Sequence, residues 1–387
     1  MEGDFIKINK YLLPLSFIYG LIIRFRNFLF DTGVIKSRSF IIPVISVGNI
    51  TVGGSGKTPH VEYLIRLLKD SKKVTVLSRG YKRKTKHFQL AGKGTTARHI
   101  GDEPYQMFMK YGDQINVAVD ANRCEGIDMI LQNERTKDTD VILLDDAFQH
   151  RYVNPGVNIL LVDYHRLIIY DKMLPSGCLR EPQEGKRRAD IVIVTKCPED
   201  LRPMDFRVIT KGLNLYPYQK LFFTTIRYEE LQPVFPEANP FTLEQISKNH
   251  HVVVLSGIAS PKHLLLDLAK YTENLHPLTF SDHHAFSDKD ISKLNNLFDS
   301  LNEKRIIITT EKDAARLVNV DGLSNDVRRH IYALPISVAF MLDYKEQFDD
   351  YILSYVMKNS KDSVLNKSNN RNVQERNDKA NIRTISF

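Results

Sequence analysis

A glycine-rich segment followed by lysine and threonine is the first part of this sequence that can do chemistry. Its glycines allow backbone N–H groups to close around phosphate oxygens, in conformations that a side chain would obstruct. Lys57 can reach the β- and γ-phosphates of a nucleotide, and the Thr58 hydroxyl can ligate Mg²⁺. The segment therefore predicts a phosphate-binding loop made of Thr51, Val52, Gly53, Gly54, Ser55, Gly56, Lys57 and Thr58.

The residues on either side of this loop fit the strand–loop–helix setting that a P-loop requires. Apolar residues 40–47 predict a buried strand, and apolar residues recur at helical spacing over 61–68. Thr51 stands where the general pattern G-x-x-x-x-G-K-[ST] has glycine. The alternative, an ordinary glycine-rich turn before a lysine, therefore stays open, although the flanking elements favour a P-loop.

Two pairs of adjacent carboxylates are candidates for metal binding and proton transfer. Asp145 and Asp146 follow an apolar strand pattern over 139–144, which is the layout of a Walker B segment opposite a P-loop. Asp102 and Glu103 lie in a Gly/Pro-bounded loop before a helical pattern. They either cap that helix or serve as a base or a Mg²⁺ ligand, and these residues alone do not decide between the two.

Adjacent histidines beside an aspartate occur at 280–286. A metal site would need a third ligand, and none occurs at useful spacing. An acid–imidazole pair facing the P-loop and a plain surface or core histidine are the remaining interpretations. Residues 195–198 (TKCP) resemble the base-reading N-K-x-D motif of GTPases, but Pro198 stands in place of the aspartate, so GTP is not predicted.

Alternating strand and helix patterns predict an α/β fold: a P-loop NTPase-like, doubly wound, mostly parallel sheet with a second, smaller α/β domain joined by an extended strand linker. Apolar residues 221–228 predict the linker strand, and nearby prolines mark a boundary. The predicted divisions are 1–32 (an N-terminal membrane-surface helix), 33–210 (the P-loop kinase domain), 211–235 (the linker), 236–357 (the smaller domain) and 358–387 (a disordered tail).

Composition limits the partners of the chain. Its 387 residues are 42% hydrophobic and 26% charged, with a net charge of +8, of which residues 358–387 contribute seven Lys/Arg against three Asp/Glu. The remainder is only mildly basic, which suits an anionic substrate or a membrane surface and predicts no nucleic-acid partner. Three scattered cysteines without C-x-x-C spacing argue against a disulfide framework or structural zinc and indicate a reducing compartment.

The N-terminal segment 11–23 is apolar and uncharged. Thirteen such residues are fewer than the roughly 20 that span a bilayer core, and no cleavage site follows. The segment predicts an interfacial helix with Lys7, Lys10, Arg24 and Arg26 near lipid headgroups. A helix packed on the domain and a span assisted by snorkelling are the other two interpretations.

Six motifs in this order resemble the tetraacyldisaccharide 4′-kinase family of lipid A biosynthesis. They are VGNITVGGSGKTP at 47–59, SRGY at 78–81, GDEP at 101–104, DDAFQH at 145–150, LREP at 179–182 and FSDHH at 280–284. The resemblance covers roughly residues 5–350. Thr51 is normal for that family, whereas Ala147 stands where the family usually has glycine, and the tail after Met357 lies outside the resemblance.

The resemblance implies an enzyme that transfers the γ-phosphate of ATP to the 4′-hydroxyl of a tetraacyl disaccharide 1-phosphate, giving lipid IVA. It implies that residues 51–58 hold ATP and that Asp102 is the base, with His283 orienting it and His284 as the alternate. The implied Mg²⁺ ligands are Thr58, Glu103, Asp145 and Asp146. The implied contacts to substrate or transferring phosphate are Arg79, Tyr81, Arg123, Gln149 and Arg180.

The resemblance also implies where the protein works and with what. A monomer held peripherally by its N-terminal helix on the cytoplasmic face of the inner membrane would meet its acylated disaccharide phosphate there. Two other classes share part of the pattern. A P-loop GTPase or metal-insertion chaperone should show a base motif or a His/Cys cluster, and a non-catalytic, membrane-associated nucleotide-binding protein would leave Asp102 and His283 without a task.

Overall fold

A computed structural model describes residues 8–258, 261–281, 284, 286–301, 304–318 and 320–359. Its strands, in chain order, are β1 (Val44–Gly48), β2 (Val74–Ser78), β3 (Gln89–Leu90), β4 (Asn116–Val119), β5 (Val141–Asp145), β6 (Val157–Asp163), β7 (Ile191–Thr195), β8 (Lys220–Tyr228), β9 (Gln232–Pro233), β10 (His251–Ser256), β11 (Leu275–Thr279), β12 (Arg305–Thr310), β13 (Ile331–Leu334) and β14 (Ile336–Phe340).

The helices connect and cover these strands. In chain order they are α1 (Leu13–Asp31), α2 (Lys57–Leu68), α3 (Ala97–Ile100), α4 (Asp102–Tyr111), α5 (Arg123–Gln132), α6 (Pro203–Leu213), α7 (Lys262–Leu268), α8 (Asp288–Asp299), α9 (Glu311–Leu317), α10 (Asn325–His330) and α11 (Lys345–Lys358). Short 3-10 turns occur at Lys10–Leu12, Gly112–Gln114, Tyr164–Arg166, Ile168–Tyr170, Gln183–Arg188 and Leu243–Gln245.

The larger sheet has nine strands in the order β14-β8-β7-β6-β1-β5-β2-β4-β3. Neighbouring strands from β8 to β4 are parallel. The edge strands β3 and β14 are antiparallel to their neighbours. Since β1 lies between β5 and β6 near the middle of the sheet, the loop that follows β1 opens at the carboxyl edge where ligands of such sheets bind.

The central strands are apolar throughout because helices cover both faces of the sheet. All five residues of β1 and of β5 are buried. Ile45 and Val47 pack with Val61 of α2 in one core, whereas Val44 packs with Ile127 of α5 in the core on the other face. Continuous apolar strands of this kind are typical of parallel sheets.

A second sheet of five strands has the order β11-β10-β12-β13-β9. Its β10, β11, β12 and β13 are parallel, and the short β9 pairs antiparallel with β13. Val252 and Val254 of β10 pack in one core, and Val253 and Leu255 pack in another core on the opposite face. The predicted fold class, a P-loop NTPase-like α/β protein with a second α/β unit, is confirmed.

Residues 336–358 pack on the larger sheet, although the sequence analysis placed them in the smaller unit. β14 pairs with β8, and α11 buries Phe348, Ile352 and Val356 in the core beside α2. An amphipathic pattern does not say which of two similar cores a helix covers. The 221–228 segment, expected as a linker strand, lies within β8, which pairs with β7 and β14 as a full member of the sheet.

Apart from the placements of residues 221–228 and 336–358, the predicted domain boundaries stay predictions. The tail predicted to be disordered lies outside the described residues beyond Asn359.

Candidate functional site

The glycine-rich loop lies between the central strand β1 and helix α2. Gly56, directly before the helix, has a φ of +83°, a left-handed conformation that favours glycine. Val52, Gly53 and Gly54 are exposed, whereas Ser55 is buried beneath them. Exposed backbone amides next to a helix N-terminus form an anion-binding site, so the local geometry is that of a P-loop.

Side chains from two other segments support this loop from beneath. The Asn49 amide donates to the Ser55 hydroxyl at 2.7 Å. At the end of β7, the Thr195 hydroxyl donates to the Ser55 carbonyl oxygen at 3.0 Å. The Lys196 ammonium donates to the Gly54 carbonyl oxygen and to the Asp163 carboxylate. The TKCP segment at 195–198 therefore supports the predicted phosphate loop, and Pro198 leaves this segment without a base-reading carboxylate.

The strand-end aspartates lie directly beside the P-loop. β5 pairs with β1 in a register that puts Asp145 next to Val47. The Lys57 ammonium lies 3.9 Å from Oδ1 of Asp146. The same oxygen accepts a hydrogen bond of 3.1 Å from Nη2 of Arg180. Burial opposes ionisation of Asp146, but these two cations outweigh it and lower the pKa of its carboxyl group.

Asp145 is a fully buried carboxylate at the end of β5. Its Oδ2 accepts a hydrogen bond of 3.2 Å from Ser78, while Oδ1 has no hydrogen-bond partner among the residues that the structure describes. Burial, together with the charges of Glu103 and Asp146, raises the pKa of Asp145 to about 7. A divalent cation beside this oxygen would offset both effects.

The carboxylates around Asp145 do not form a complete metal cage. Within the described ranges, no group of three or more Asp, Glu, His or Cys side chains is placed to hold a metal ion. Mg²⁺ usually takes one or two protein carboxylates and completes its shell with water and phosphate oxygens. The residues present therefore fit Mg²⁺ bound together with a nucleotide.

Asp102 and Glu103 lie in the first turn of α4. Gly101, just before them, has a φ of +93°, and a Cβ there would lie 2.9 Å from the carbonyl oxygen of Tyr81. The loop after β2 therefore packs directly on the start of α4. Because Glu103 acts electrostatically on Asp145, the start of α4 faces the same crevice as the P-loop.

Four of the five predicted substrate-contact residues lie around this crevice. Arg180 binds the Asn49 side chain, and Gln149 donates to the Asn49 carbonyl oxygen at 2.6 Å. Arg79 and Tyr81 are exposed in the loop after β2. Arg180 and Gln149 thus lie beneath the start of the P-loop, and Arg79 and Tyr81 lie beside α4.

Arg123, the fifth of these residues, is buried, with 2% of its surface exposed. Its Nη1 donates to the carbonyl oxygens of Asp120 and Ala121 at 3.2 Å, and its Nη2 lies 3.5 Å from that of Asp145. Burial lowers the pKa of the guanidinium to about 10. Arg123 holds the turn that carries Asp145, and its role as a substrate contact stays a prediction.

Helix α1 packs one face against the loops that carry the predicted substrate contacts. The Tyr19 hydroxyl donates to the Arg180 carbonyl oxygen at 3.1 Å, and Arg26 donates to that of Gln149 at 2.9 Å. The opposite face is exposed and apolar. Its members, at helical spacing, are Leu15, Phe17, Ile18, Leu21, Ile22, Phe25 and Phe28, and we call them the apolar stripe.

The helical segment Lys10–Asp31 has 22 residues and, by length and composition, is able to cross a membrane. It is longer than the uncharged run of 13 residues counted in the sequence, because the helix continues through Arg24 and Arg26. A single such helix near an N-terminus is weak support for a span, since helices with other roles pass the same criterion.

The predicted catalytic histidine, His283, lies outside the described residues. His284, its alternate, is described. Its Nε2 lies 2.9 Å from Oδ2 of Asp290, and its ring stacks on Phe280 with centroids 4.6 Å apart. His284 is therefore already engaged within the smaller unit.

Several residues that shape the site were not among the predicted ones. Asn49, His60 and Thr195 support the P-loop, and Arg316 of α9 binds Asp102. Lys196 was noted only as part of an incomplete base motif. Proximity to the loop in sequence was a signal for Asn49 and His60, but nothing local in the sequence singles out Arg316.

Comparison with known proteins gives a consistent result across the chain. A family model described as LpxK, Tetraacyldisaccharide-1-P 4'-kinase, matches residues 8–356. A Phocaeicola vulgatus protein named tetraacyldisaccharide 4'-kinase is 55% identical over 364 residues, covering 94% of this chain and 99% of its own. A Bacteroides thetaiotaomicron protein of the same name is 49% identical, covering 96% of this chain and 99% of its own.

A solved structure is similar over the same range. It is LpxK from Aquifex aeolicus, described as an "apo" form in complex with ATP at 2.2 Å resolution. The TM-score is 0.69 at 30% sequence identity, and the similarity covers 89% of this chain and 98% of the Aquifex chain.

Proposed function

This chain belongs to the tetraacyldisaccharide 4′-kinase family, and on that basis we propose that its P-loop crevice is the site of phosphoryl transfer. The protein is an ATP-dependent kinase that phosphorylates the 4′-hydroxyl of tetraacyldisaccharide 1-phosphate, forming lipid IVA. The observation that carries the assignment of the site is the arrangement of Lys57 and Asp146 beside a buried Asp145 at one sheet edge. The alternatives, a GTPase and a non-catalytic nucleotide-binding protein, are not favoured.

The P-loop residues 51–58 are proposed to hold the triphosphate of ATP. The amides of Gly53 and Gly54, in the exposed part of the loop, would contact the phosphates, and Lys57 would neutralise charge on the γ-phosphate as it moves. The hydrogen bonds from Thr195 and Lys196 hold the carbonyl groups of Ser55 and Gly54 turned inward. Inward carbonyls leave neighbouring N–H groups directed at the nucleotide.

Mg²⁺ is the expected cofactor, and Thr58, Asp145, Asp146 and Glu103 are proposed to surround it. It would neutralise charge on the β- and γ-phosphate oxygens. Oδ1 of Asp145, which is buried without a hydrogen-bond partner among the described residues, supports this proposal. So does the influence of Glu103 on Asp145, because like charges gathered around one buried carboxylate need a cation to be stable.

Asp102 is proposed to be the general base. Its carboxylate would take the proton of the 4′-hydroxyl as the sugar oxygen bonds to the γ-phosphorus and the bond to the bridging oxygen breaks, releasing ADP. His283 is proposed to orient Asp102. The engagement of His284 with Asp290 supports His283 over its neighbour, since the His284 ring already has a carboxylate partner.

Arg79, Tyr81, Gln149 and Arg180 are proposed to contact the disaccharide headgroup or the moving phosphate. Arg180 already lies 3.1 Å from Asp146, which supports a position beside the transferring group. Arg79 and Tyr81 are exposed on the loop packed against α4, which supports a position beside the acceptor sugar. Arg123 would act through the turn at Asp145.

The chain is proposed to work as a peripheral monomer on the cytoplasmic face of the inner membrane, where its acylated substrate lies. The apolar stripe supports membrane contact, because such an area on one helix face would otherwise be exposed to water. The polar contacts of Tyr19 and Arg26 support a helix that lies against the protein instead of leaving it to span the bilayer.

The test is transfer of labelled γ-phosphate from Mg·ATP to tetraacyldisaccharide 1-phosphate in detergent micelles. Wild type should give labelled lipid, and Lys57→Ala and Asp102→Asn should each lose 10²-fold or more in rate. Asp138→Asn, which changes an exposed carboxylate paired with Lys73, is the matched control and should retain full activity. ATP binding without any labelled lipid from wild type would contradict the proposal.

A further inference from the structure

An arginine from the smaller unit contacts the proposed base. Nε and Nη2 of Arg316, on α9, lie 3.1 and 2.6 Å from Oδ2 of Asp102, on α4. The Arg316 side chain is buried, and that of Asp102 is partly exposed. Because α4 covers the larger sheet and α9 the smaller one, this contact joins the two units at the edge of the crevice.

Arg316 is itself held from behind by a buried carboxylate. Its Nη1 lies 2.9 Å from Oδ1 of Asp313, which is fully buried. The other oxygen of Asp313 accepts hydrogen bonds from the Gly257 amide at 2.9 Å and from the Thr310 hydroxyl at 2.7 Å. The ends of β10 and β12 thus fix the guanidinium, and the guanidinium in turn faces Asp102.

Two further ion pairs accompany this contact along α4 and α9. Lys110 lies 2.6 Å from Glu311 and also 2.6 Å from Glu62 of α2. Lys312 lies 3.9 Å from Glu103. Within the described residues, these contacts place Glu103 on α4 and Lys312 and Asp313 on α9 as charged groups around the Asp102–Arg316 pair.

We propose that Arg316 is a positioning residue that orients Asp102 only while the smaller unit is docked on the P-loop side. The proposal rests on the proposed function, with Asp102 as the base. A general base must lie within hydrogen-bond reach of the proton that it abstracts, so the direction of its carboxylate decides whether it can act. Two N–H groups converging on one oxygen also fix its direction, which a lysine cannot do in the same way.

This arrangement couples docking of the units to competence for catalysis. The larger unit supplies Asp102 and the phosphate loop, while the group that orders Asp102 comes from β10, β12 and α9 of the smaller unit. Separation of the units would remove the guanidinium from the base. Proton abstraction would then be slow while the units are apart, which limits transfer of the γ-phosphate to water.

The experiment compares Arg316→Ala and Arg316→Lys with Glu311→Gln in the labelled-phosphate transfer assay. Glu311→Gln is the matched control, because it removes an ion pair from the same helix interface without touching Asp102. We expect Arg316→Ala to lower kcat by tenfold or more and to leave KM for ATP unchanged, because a misdirected base slows proton transfer while the P-loop stays intact. Arg316→Lys should fall between Arg316→Ala and wild type, and Glu311→Gln should leave both quantities unchanged.

A double-mutant cycle distinguishes a positioning role from an independent one. If Arg316 acts through Asp102, adding Arg316→Ala to Asp102→Asn should cost no further activity. Additive losses, or a loss confined to KM for ATP with an unchanged kcat, would overturn the proposal. Thermal unfolding shows whether each variant folds. If Arg316→Ala does not fold, Arg316→Lys replaces it in the double-mutant cycle.

Different results would refute the proposed kinase site and the proposed role of Arg316. Wild type without lipid product would refute the kinase site itself. Normal wild-type transfer, an Asp102→Asn variant slowed 10²-fold or more and an Arg316→Ala variant with an unchanged kcat would refute only the role of Arg316.

Discussion

Nδ1 of His60 lies 2.7 Å from the carbonyl oxygen of Gly56, so a side chain of α2 holds the last glycine of the P-loop. A carbonyl oxygen can only accept, so Nδ1 carries the proton, and Nε2 is left to accept from the Thr224 hydroxyl 3.1 Å away. The imidazole is buried and neutral in this arrangement. The predicted phosphate loop is therefore tied to β8 through one histidine.

This histidine should make stability depend on pH. Burial lowers the pKa of His60 from 6.5 to about 4, so between these values the unfolded chain binds a proton that the folded chain does not. The free energy of unfolding should therefore fall as pH drops from 6.5 to 4, by about 3 kcal/mol from this residue. Urea unfolding at pH 7.5, 6, 5 and 4.5 measures the loss.

The variant His60→Asn isolates the contribution of this residue. Asparagine retains an N–H that can reach the Gly56 carbonyl oxygen but does not titrate. Other buried groups titrate equally in both proteins, so their effects cancel in the difference. The gap in unfolding free energy between wild type and variant should narrow toward acid pH. A constant gap would show that His60 is not buried as a neutral group.

Lys196 should matter for nucleotide binding more than for chemistry. Its ammonium bridges the Gly54 carbonyl oxygen and Asp163, and so fixes the tip of the P-loop. Lys196→Ala should raise KM for ATP about tenfold with a smaller change in kcat, since the loss is one charge-assisted bond in loop ordering. Lys211→Ala, an exposed lysine on α6, is the control. An unchanged KM for ATP would exclude this role.

The sequence was sufficient for those parts of the site that are written in consecutive residues. A P-loop and a strand ending in aspartate each follow from local spacing, and the parallel sheet brings Lys57 and Asp146 to the same edge. Contacts between distant segments could not be predicted in this way. Arg316 reaches Asp102 only because α9 packs on α4, and that packing depends on how two complete units dock.

The placement of residues 336–358 shows the same limit at the level of the fold. The helical pattern of α11 is plain in the sequence, but its partner core is not. Phe348 packs with Phe222 of β8, and β14 adds to that edge of the larger sheet. Which sheet receives a terminal helix is decided by the fit of whole surfaces, which hydrophobic spacing does not encode.

The apolar stripe of α1 should control access to lipid substrate without affecting ATP. Phe17 and Phe25 are each 64% exposed on that face. The double variant Phe17→Ser/Phe25→Ser should lose binding to anionic vesicles and raise KM for the lipid by tenfold or more, with KM for ATP unchanged. Met204→Ser, at an apolar residue 65% exposed on α6, is the matched control. Unaltered vesicle binding would contradict the proposed membrane contact.

We expect the Asp145 carboxylate to be needed for phosphoryl transfer although it lowers the free energy of unfolding. Its carboxylate is fully buried, near Asp146 and Glu103, and one oxygen has no hydrogen-bond partner among the described residues. Without Mg²⁺, Asp145→Asn should stabilise the fold by about 1–2 kcal/mol at pH 8, because a buried charge is removed. The same change should lower phosphoryl transfer 10²-fold or more and weaken the Mg²⁺ dependence of ATP binding. Asp138→Asn should change neither quantity. The opposite result would be a destabilised Asp145→Asn variant whose ATP binding still depends on Mg²⁺ as that of wild type does. It would show that Asp145 is a structural group, because loss of a metal ligand must weaken the Mg²⁺ dependence.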